Sequence, residues 1–186
     1  MKTIVIKLFS FLALLGMFTS CNDEWGNDNP EMEHIYYYGL GNESFPGGNE
    51  LKYTVQQGSI IAIPTYFFSV FNRPYSPEVY YYTSTVPNSD PQLVCGEDYV
   101  VVDSNGNTLT PGSDGAYKMI WPNAVGGSQN VYIKALNGQK GFLRVLTFDP
   151  NKTIVATDVS STTIIKTEEY EVRAFTENYY VTVEIK

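Results

Sequence analysis

Val131-Tyr132-Ile133-Lys134-Ala135-Leu136-Asn137-Gly138 is the stretch whose reading decides the fold. Val131, Ile133 and Ala135 share one side of an extended chain and Tyr132 and Lys134 the other, a period of two that suits a half-buried strand and no helix. Asn137-Gly138 is a turn pair, tolerant of positive φ, and it sends the chain into a second apolar run, Phe142 to Phe148. The same alternation recurs on both sides. Tyr117, Met119 and Trp121 fall together in Ala116 to Trp121, with Lys118 opposite; Val79, Tyr81 and Thr83 alternate with Tyr80, Tyr82 and Ser84 in Glu78 to Thr85. Near the end, Tyr170, Val172 and Ala174 oppose Glu169, Glu171 and Arg173, and Tyr179, Val181, Val183 and Ile185 form the other arm of a predicted closing hairpin.

Strands are also predicted over Glu33 to Leu40, Leu51 to Gln56 and Ser59 to Phe71, with a hairpin of Asp98 to Asp103 and Asn107 to Thr110 about Asn105-Gly106. Pro64 lacks a ladder donor and so predicts an edge or a bulge. Fifteen tyrosines and ten phenylalanines, broken by fifteen glycines and ten prolines, favour strands, and no window of helical length keeps an uninterrupted apolar stripe. Residues 34–186 have the size of one domain, able to bury around 70% of the surface of the unfolded chain. Turn signals every 8 to 12 residues predict an all-β, immunoglobulin-like two-sheet antiparallel sandwich of about nine strands. A closed barrel is the alternative.

The amino end reads differently. Lys2 and Lys7 flank an apolar run, Leu8 to Phe18, shorter than the roughly 20 residues of a spanning helix, so residues 1–20 read as a signal peptide. Thr19-Ser20-Cys21 resembles the bacterial lipobox, with Phe18 where that motif usually has Leu; the resemblance implies cleavage before Cys21 and its acylation, against an ordinary secretory cut that leaves Cys21 a spectator. At about 0.8 kcal/mol per buried methylene, two or three acyl chains would hold the protein on a membrane. Residues 21–33 then form the lipidated cysteine and a flexible acidic tether, which at about 3.4 Å per residue reaches roughly 40 Å. Asp23-Glu24 resembles the acidic export signal of Bacteroidetes lipoproteins, which implies the outer face of the outer membrane.

Loss of the leader, whose only charges are Lys2 and Lys7, takes the formal charge from -8 to -10. Such a body is repelled by phosphate backbones, which disfavours nucleic acid as a partner. Once Cys21 carries lipid only Cys95 remains, so no internal disulfide is expected, and Leu93-Val94-Cys95-Gly96 predicts a buried thiol.

Gly96-Glu97-Asp98-Tyr99-Val100, Trp121-Pro122-Asn123-Ala124, Val131 to Gly138 and Thr147-Phe148-Asp149-Pro150 together resemble a group of uncharacterised surface lipoproteins of gut Bacteroidetes. Members are often encoded beside polysaccharide-uptake systems. Gly-x-Asp-Tyr followed by valines is also similar to Calx-beta and related immunoglobulin-like sandwiches. The resemblance implies a fold and a setting, and supplies no catalytic residue.

A single histidine, His34, gives a catalytic triad or a multi-histidine metal site almost nothing to draw on. The carboxylate pairs Glu97-Asp98 and Glu168-Glu169 are adjacent in sequence, and neighbours in a strand point to opposite faces. Asp103-Ser104-Asn105-Gly106-Asn107 has oxygens at alternate positions like a calcium loop but lacks that loop's glycine at the sixth, so a turn is preferred. No cofactor, metal or catalytic residue is expected. Exposed aromatic rings stack on sugar rings while amides bond the hydroxyls, which makes Tyr80, Tyr82, Trp121, Asn123 and Gln129 candidates for a glycan site. The competing reading is that tyrosine is a good strand former whose ring covers a sheet.

The expectation is a lipid-anchored module of the cell surface, without catalysis, that binds glycan or assists an outer-membrane uptake complex. The alternative is a structural or adhesion subunit that docks a protein through an exposed sheet edge. A lipid-anchored hydrolase stands third.

Overall fold

A computed structural model describes residues 33–41 and 51–186. The predicted signal peptide, Cys21, Asp23-Glu24 and the tether up to residue 32 lie outside the described residues. Within them the chain alternates between two layers. One sheet has six strands in the order β5 (Tyr99–Val102), β7 (Gly127–Ala135), β3 (Ile60–Phe68), β1 (Ile35–Leu40), β10 (Glu171–Ala174) and β9 (Thr163–Lys166). The other has five, β2 (Lys52–Val55), β11 (Tyr180–Ile185), β8 (Gly141–Leu146), β4 (Glu78–Thr85) and β6 (Tyr117–Ile120). The described residues form an all-β two-sheet sandwich of eleven strands. The inward residues of the alternating strands close the core, among them Ile63 and Phe67 of β3, Ile133 of β7, Val79 of β4 and Leu143 of β8, all fully buried.

Several expectations need correction. The sandwich is not wholly antiparallel: β1 runs parallel to β10 and β2 parallel to β11. The predicted closing hairpin does not form, because β10 joins the six-stranded sheet and β11 pairs with β8 in the other. Asn137-Gly138 likewise turns the chain from one sheet to the other. Sequence reading left out β9 and the one-turn helix α1 (Val159–Thr162), which is capped by the Asp158 carboxylate at Ser160 N–H.

Pro64 sits inside β3, with β7 on one side and β1 on the other. Its carbonyl accepts from Gly41 N–H at 2.7 Å, just past the end of β1. A residue of an antiparallel ladder turns its N and O to the same side. The missing donor therefore falls where the β1 ladder has ended, and neither an edge nor a bulge is required.

Asp98 ties the crossing between sheets. It is buried, and its carboxylate accepts from Val94 N–H at 2.7 Å and Gln139 N–H at 2.6 Å, while its carbonyl accepts from Leu136 N–H. A Cβ on Gly138 would run into that carboxylate and into the Glu97 carbonyl, so the turn admits only glycine without a shift. Asp98→Ala is expected to cost about 2 kcal/mol in urea unfolding, since it removes the acceptor of two N–H groups that no other described residue meets.

Candidate binding surfaces

The groups that could do chemistry are tied into the fold. His34 Nδ1 lies 2.6 Å from the Tyr75 hydroxyl, which also shares a 2.8 Å hydrogen bond with Tyr36. Tyr75 stacks on Tyr170 at 5.5 Å, and burial, then the Tyr36 hydroxyl, pushes its own hydroxyl well above the usual phenol range. Asp103 accepts at one oxygen from the N–H groups of Asn105 and Asn107 and at the other from the Asn107 side chain. These bonds hold its carboxyl below the usual range and close a turn. Among the described residues no three His, Cys, Asp or Glu side chains gather as metal ligands. Cys95 is exposed, contrary to expectation; its sulfur lies 3.8 Å from the Tyr117 hydroxyl, and of its apolar neighbours Leu93 alone is buried while Val94 is exposed.

The five residues proposed for glycan occupy four places. Tyr80 and Tyr82 point outward from β4, half-buried, on the outer face of the five-stranded sheet. Trp121 is corrected to a core residue: it is 3% exposed, and its ring stacks on Phe67 at 4.9 Å and 13°. It continues the inward face of β6, on which Tyr117 and Met119 are buried. Asn123 is exposed in a 3₁₀ turn, Pro122–Ala124, with φ of 55°, and its backbone is held by Arg73 N–H and the Ser76 hydroxyl. Gln129, near the start of β7, donates from Nε2 to the Ile120 carbonyl at 2.8 Å.

Tyr82 belongs to a row. The register sets Tyr82 of β4 beside Leu146 of β8, and Leu146 beside Tyr180 of β11, so two phenol rings flank a leucine they help to bury. The Arg144 guanidinium lies 4.2 Å from the Tyr180 ring centre. Tyr80, next along β4, donates to Glu78, which is ion-paired to Lys118 at 2.9 Å. This platform is where flat apolar and polar groups alternate on the surface.

The second surface is the mouth between the sheets at β6, an edge strand. Trp121 N–H donates to the Pro77 carbonyl, so with Val79 opposite Met119 the ladder bonds of β6 fall at 117, 119 and 121. The backbone groups of Lys118 and Ile120 therefore point away from β4. Across the mouth, Leu136 N–H donates to the Asp98 carbonyl, which places 134, 132 and 130 of β7 toward β5. β5 ends at Val102, opposite Tyr132, and leaves the backbone of Asn130 facing the same gap.

Between these edges lies a groove of about 590 Å³. Tyr81, Met119, Val102 and Leu109 supply apolar lining, and Asp103, Lys118, Asn130 and Tyr132 add polar groups. Burial pushes the Tyr81 hydroxyl up to about 12, so it stays protonated there. Ile120 is 48% exposed, a large apolar side chain at an edge. Among the described residues no protein group meets the Lys118 or Ile120 N–H; Gln129 takes the Ile120 carbonyl. Of the five glycan candidates only Gln129 lines this groove, and Asp103 and Ser104 of the turn compared with a calcium loop line it too. The one local signal was Ile120, an apolar residue on the face opposite Met119.

No family model matches the chain and no curated protein matches its sequence. Among solved structures, a chain of the CaDoc0917–CaCohA2 complex aligns at 14% identity and a TM-score of 0.40, over 81% of this chain and 99% of that one. A chain from the complex of the third ScaB cohesin of R. flavefaciens with a group 1 dockerin aligns at 11% identity and a TM-score of 0.29, over 83% of this chain and 95% of that one. The chain thus shows a distant structural similarity to these β-sandwich domains, and a likeness of that degree leaves function to the site itself.

Proposed function

We propose that the chain is a non-enzymatic docking module that receives a protein partner at the mouth between β6 and β7. The observation that carries this is the row formed by the Lys118 N–H and C=O and the Ile120 N–H, which no described residue bonds and which faces a groove with apolar lining. Protein segments satisfy backbone groups of that kind; sugars are read mainly by stacking and by side chains. In the same reading residues 1–20 are a signal peptide, lipid on Cys21 and the tether to residue 33 hold residues 34–186 at the outer face of an outer membrane, and the setting is that of the Bacteroidetes surface lipoproteins. The acidic charge favours a basic or neutral partner over nucleic acid.

The row Tyr82–Leu146–Tyr180 favours a second reading, a glycan laid on the outer face of the five-stranded sheet. Affinity electrophoresis of the full chain through gels containing polysaccharides separates the two. Docking predicts migration unchanged by any polysaccharide. Retardation that Tyr82→Ala abolishes would transfer the function to the tyrosine platform.

A further inference from the structure

We propose that the partner enters the mouth as an extended strand, hydrogen-bonded to β6 on one side and to Asn130 of β7 on the other. This rests on the docking reading above and specifies its chemistry.

Lys118 N–H, Lys118 C=O and Ile120 N–H alternate donor, acceptor, donor along the outward side of β6, the complement of the row another strand presents. Strands in a sheet lie about 4.8 Å apart and packed sheets about 10 Å apart, so one strand set between facing edges of two layers meets both. The gap has that scale: the Gln129 side chain reaches from β7 to the Ile120 carbonyl with a single hydrogen bond. That bond also closes one end of the slot.

The other edge of the five-stranded sheet is β2. β2 bonds to β11 through the carbonyls of Leu51 and Val55, which leaves Lys52 and Thr54 facing away from β11 and away from the groove at β6. At the outer edge of the six-stranded sheet, the 107–109 segment covers β5 through Asp103 N–H to Asn107 C=O and Leu109 N–H to Val101 C=O. The mouth at β6 combines a backbone row that no described residue bonds, apolar lining and a second edge. An incoming strand would turn alternate side chains onto Val102, Leu109 and Met119, so its sequence should alternate apolar residues with polar ones.

Panning a phage-displayed library of short random peptides against the full chain tests this, followed by amide hydrogen exchange of the chain with an enriched peptide bound. The expected result is enrichment of alternating apolar sequences that slow exchange at Lys118, Ile120 and Asn130 by roughly tenfold or more. Lys118→Pro removes an N–H that the β4 ladder does not use, and should weaken the peptide by roughly tenfold or more, while Thr54→Pro, the matched change on β2, leaves it unaltered. No enrichment, or peptides that leave those three amides exchanging as in the unbound chain, would overturn strand addition. The exchange result decides even where Lys118→Pro perturbs the fold. Docking itself is judged separately by cross-linking at Ile120, so a protein captured there without amide protection would leave docking standing and remove the strand.

Discussion

Trp121→Ala should lower stability by about 3–5 kcal/mol, the range for removing a large aromatic side chain from a packed core. The ring is 3% exposed and lies nearly parallel to Phe67, which in turn stacks on Tyr36 at 5.2 Å. Removing it opens a cavity between β6 and β3, in opposite sheets, at a place where rigid rings rather than flexible chains would have to move in. The indole N–H finds no acceptor among the described residues, so Trp121→Phe, which deletes that unsatisfied donor and keeps most of the stack, should cost much less. Urea unfolding of both variants is the check. A loss near zero for Trp121→Ala would mean a ring at the surface, as a sugar platform requires, and would reverse the assignment of that face of β6.

Glu171→Ala should cost about 3 kcal/mol at neutral pH, because it leaves a largely buried guanidinium without its carboxylate. Glu171 Oε1 accepts from Arg173 Nε at 2.6 Å and from the Thr163 hydroxyl at 3.0 Å, and Oε2 meets Lys166 Nζ at 3.1 Å. The carboxylate is about 10% exposed and Arg173 about 16%, whereas Lys166 is 72% exposed and adds little. Burial alone would raise the Glu171 pKa. The bonds from Arg173, Lys166 and Thr163 outweigh burial and hold the carboxyl below the ordinary value of 4.5.

A depressed carboxyl stabilises the fold fully above its unfolded pKa, and that contribution is lost as pH falls through the folded one. Parent and Glu171→Ala should therefore differ by a constant amount from neutral pH down to about 4.5 and converge below it. Thermal midpoints measured across that window give the answer. A difference that persists unchanged into strong acid would exclude ionised Glu171 as its source.

What could be read from sequence was local. Alternation placed β4, β6, β7, β8 and β11 within a residue or two, because each strand's two faces are written in its own residues. Trp121 shows the limit of using that signal selectively: its alternation with Lys118 already set it beside Tyr117 and Met119, and the face shared with a methionine and opposite a lysine is the core face. Neighbour relations were out of reach. That β10 would leave its apparent hairpin partner for a parallel place beside β1 depends on residues more than a hundred positions away. Pro64 looked like an edge residue because nothing local says that β3 pairs with β1 in a register that sets Leu40, the last residue of β1, opposite Thr65.

The mouth at β6 was illegible for the same reason. Lys118 and Ile120 are ordinary residues of a short strand; what distinguishes them is which side of β6 has a neighbour, a property of the assembled sheet. Alternation set Tyr80 and Tyr82 together on one face of their strand without saying whether that face is inward or outward, and the partner that makes a platform, Tyr180, lies across two strands.

A photo-activated cross-linker placed in turn at Ile120 and at Tyr82 of the full chain, in the cells that produce it, tests docking at the mouth most directly. The account predicts a protein adduct from position 120 and none from position 82. An adduct from position 82 alone, dissolved by glycoside hydrolases and untouched by proteases, would contradict it.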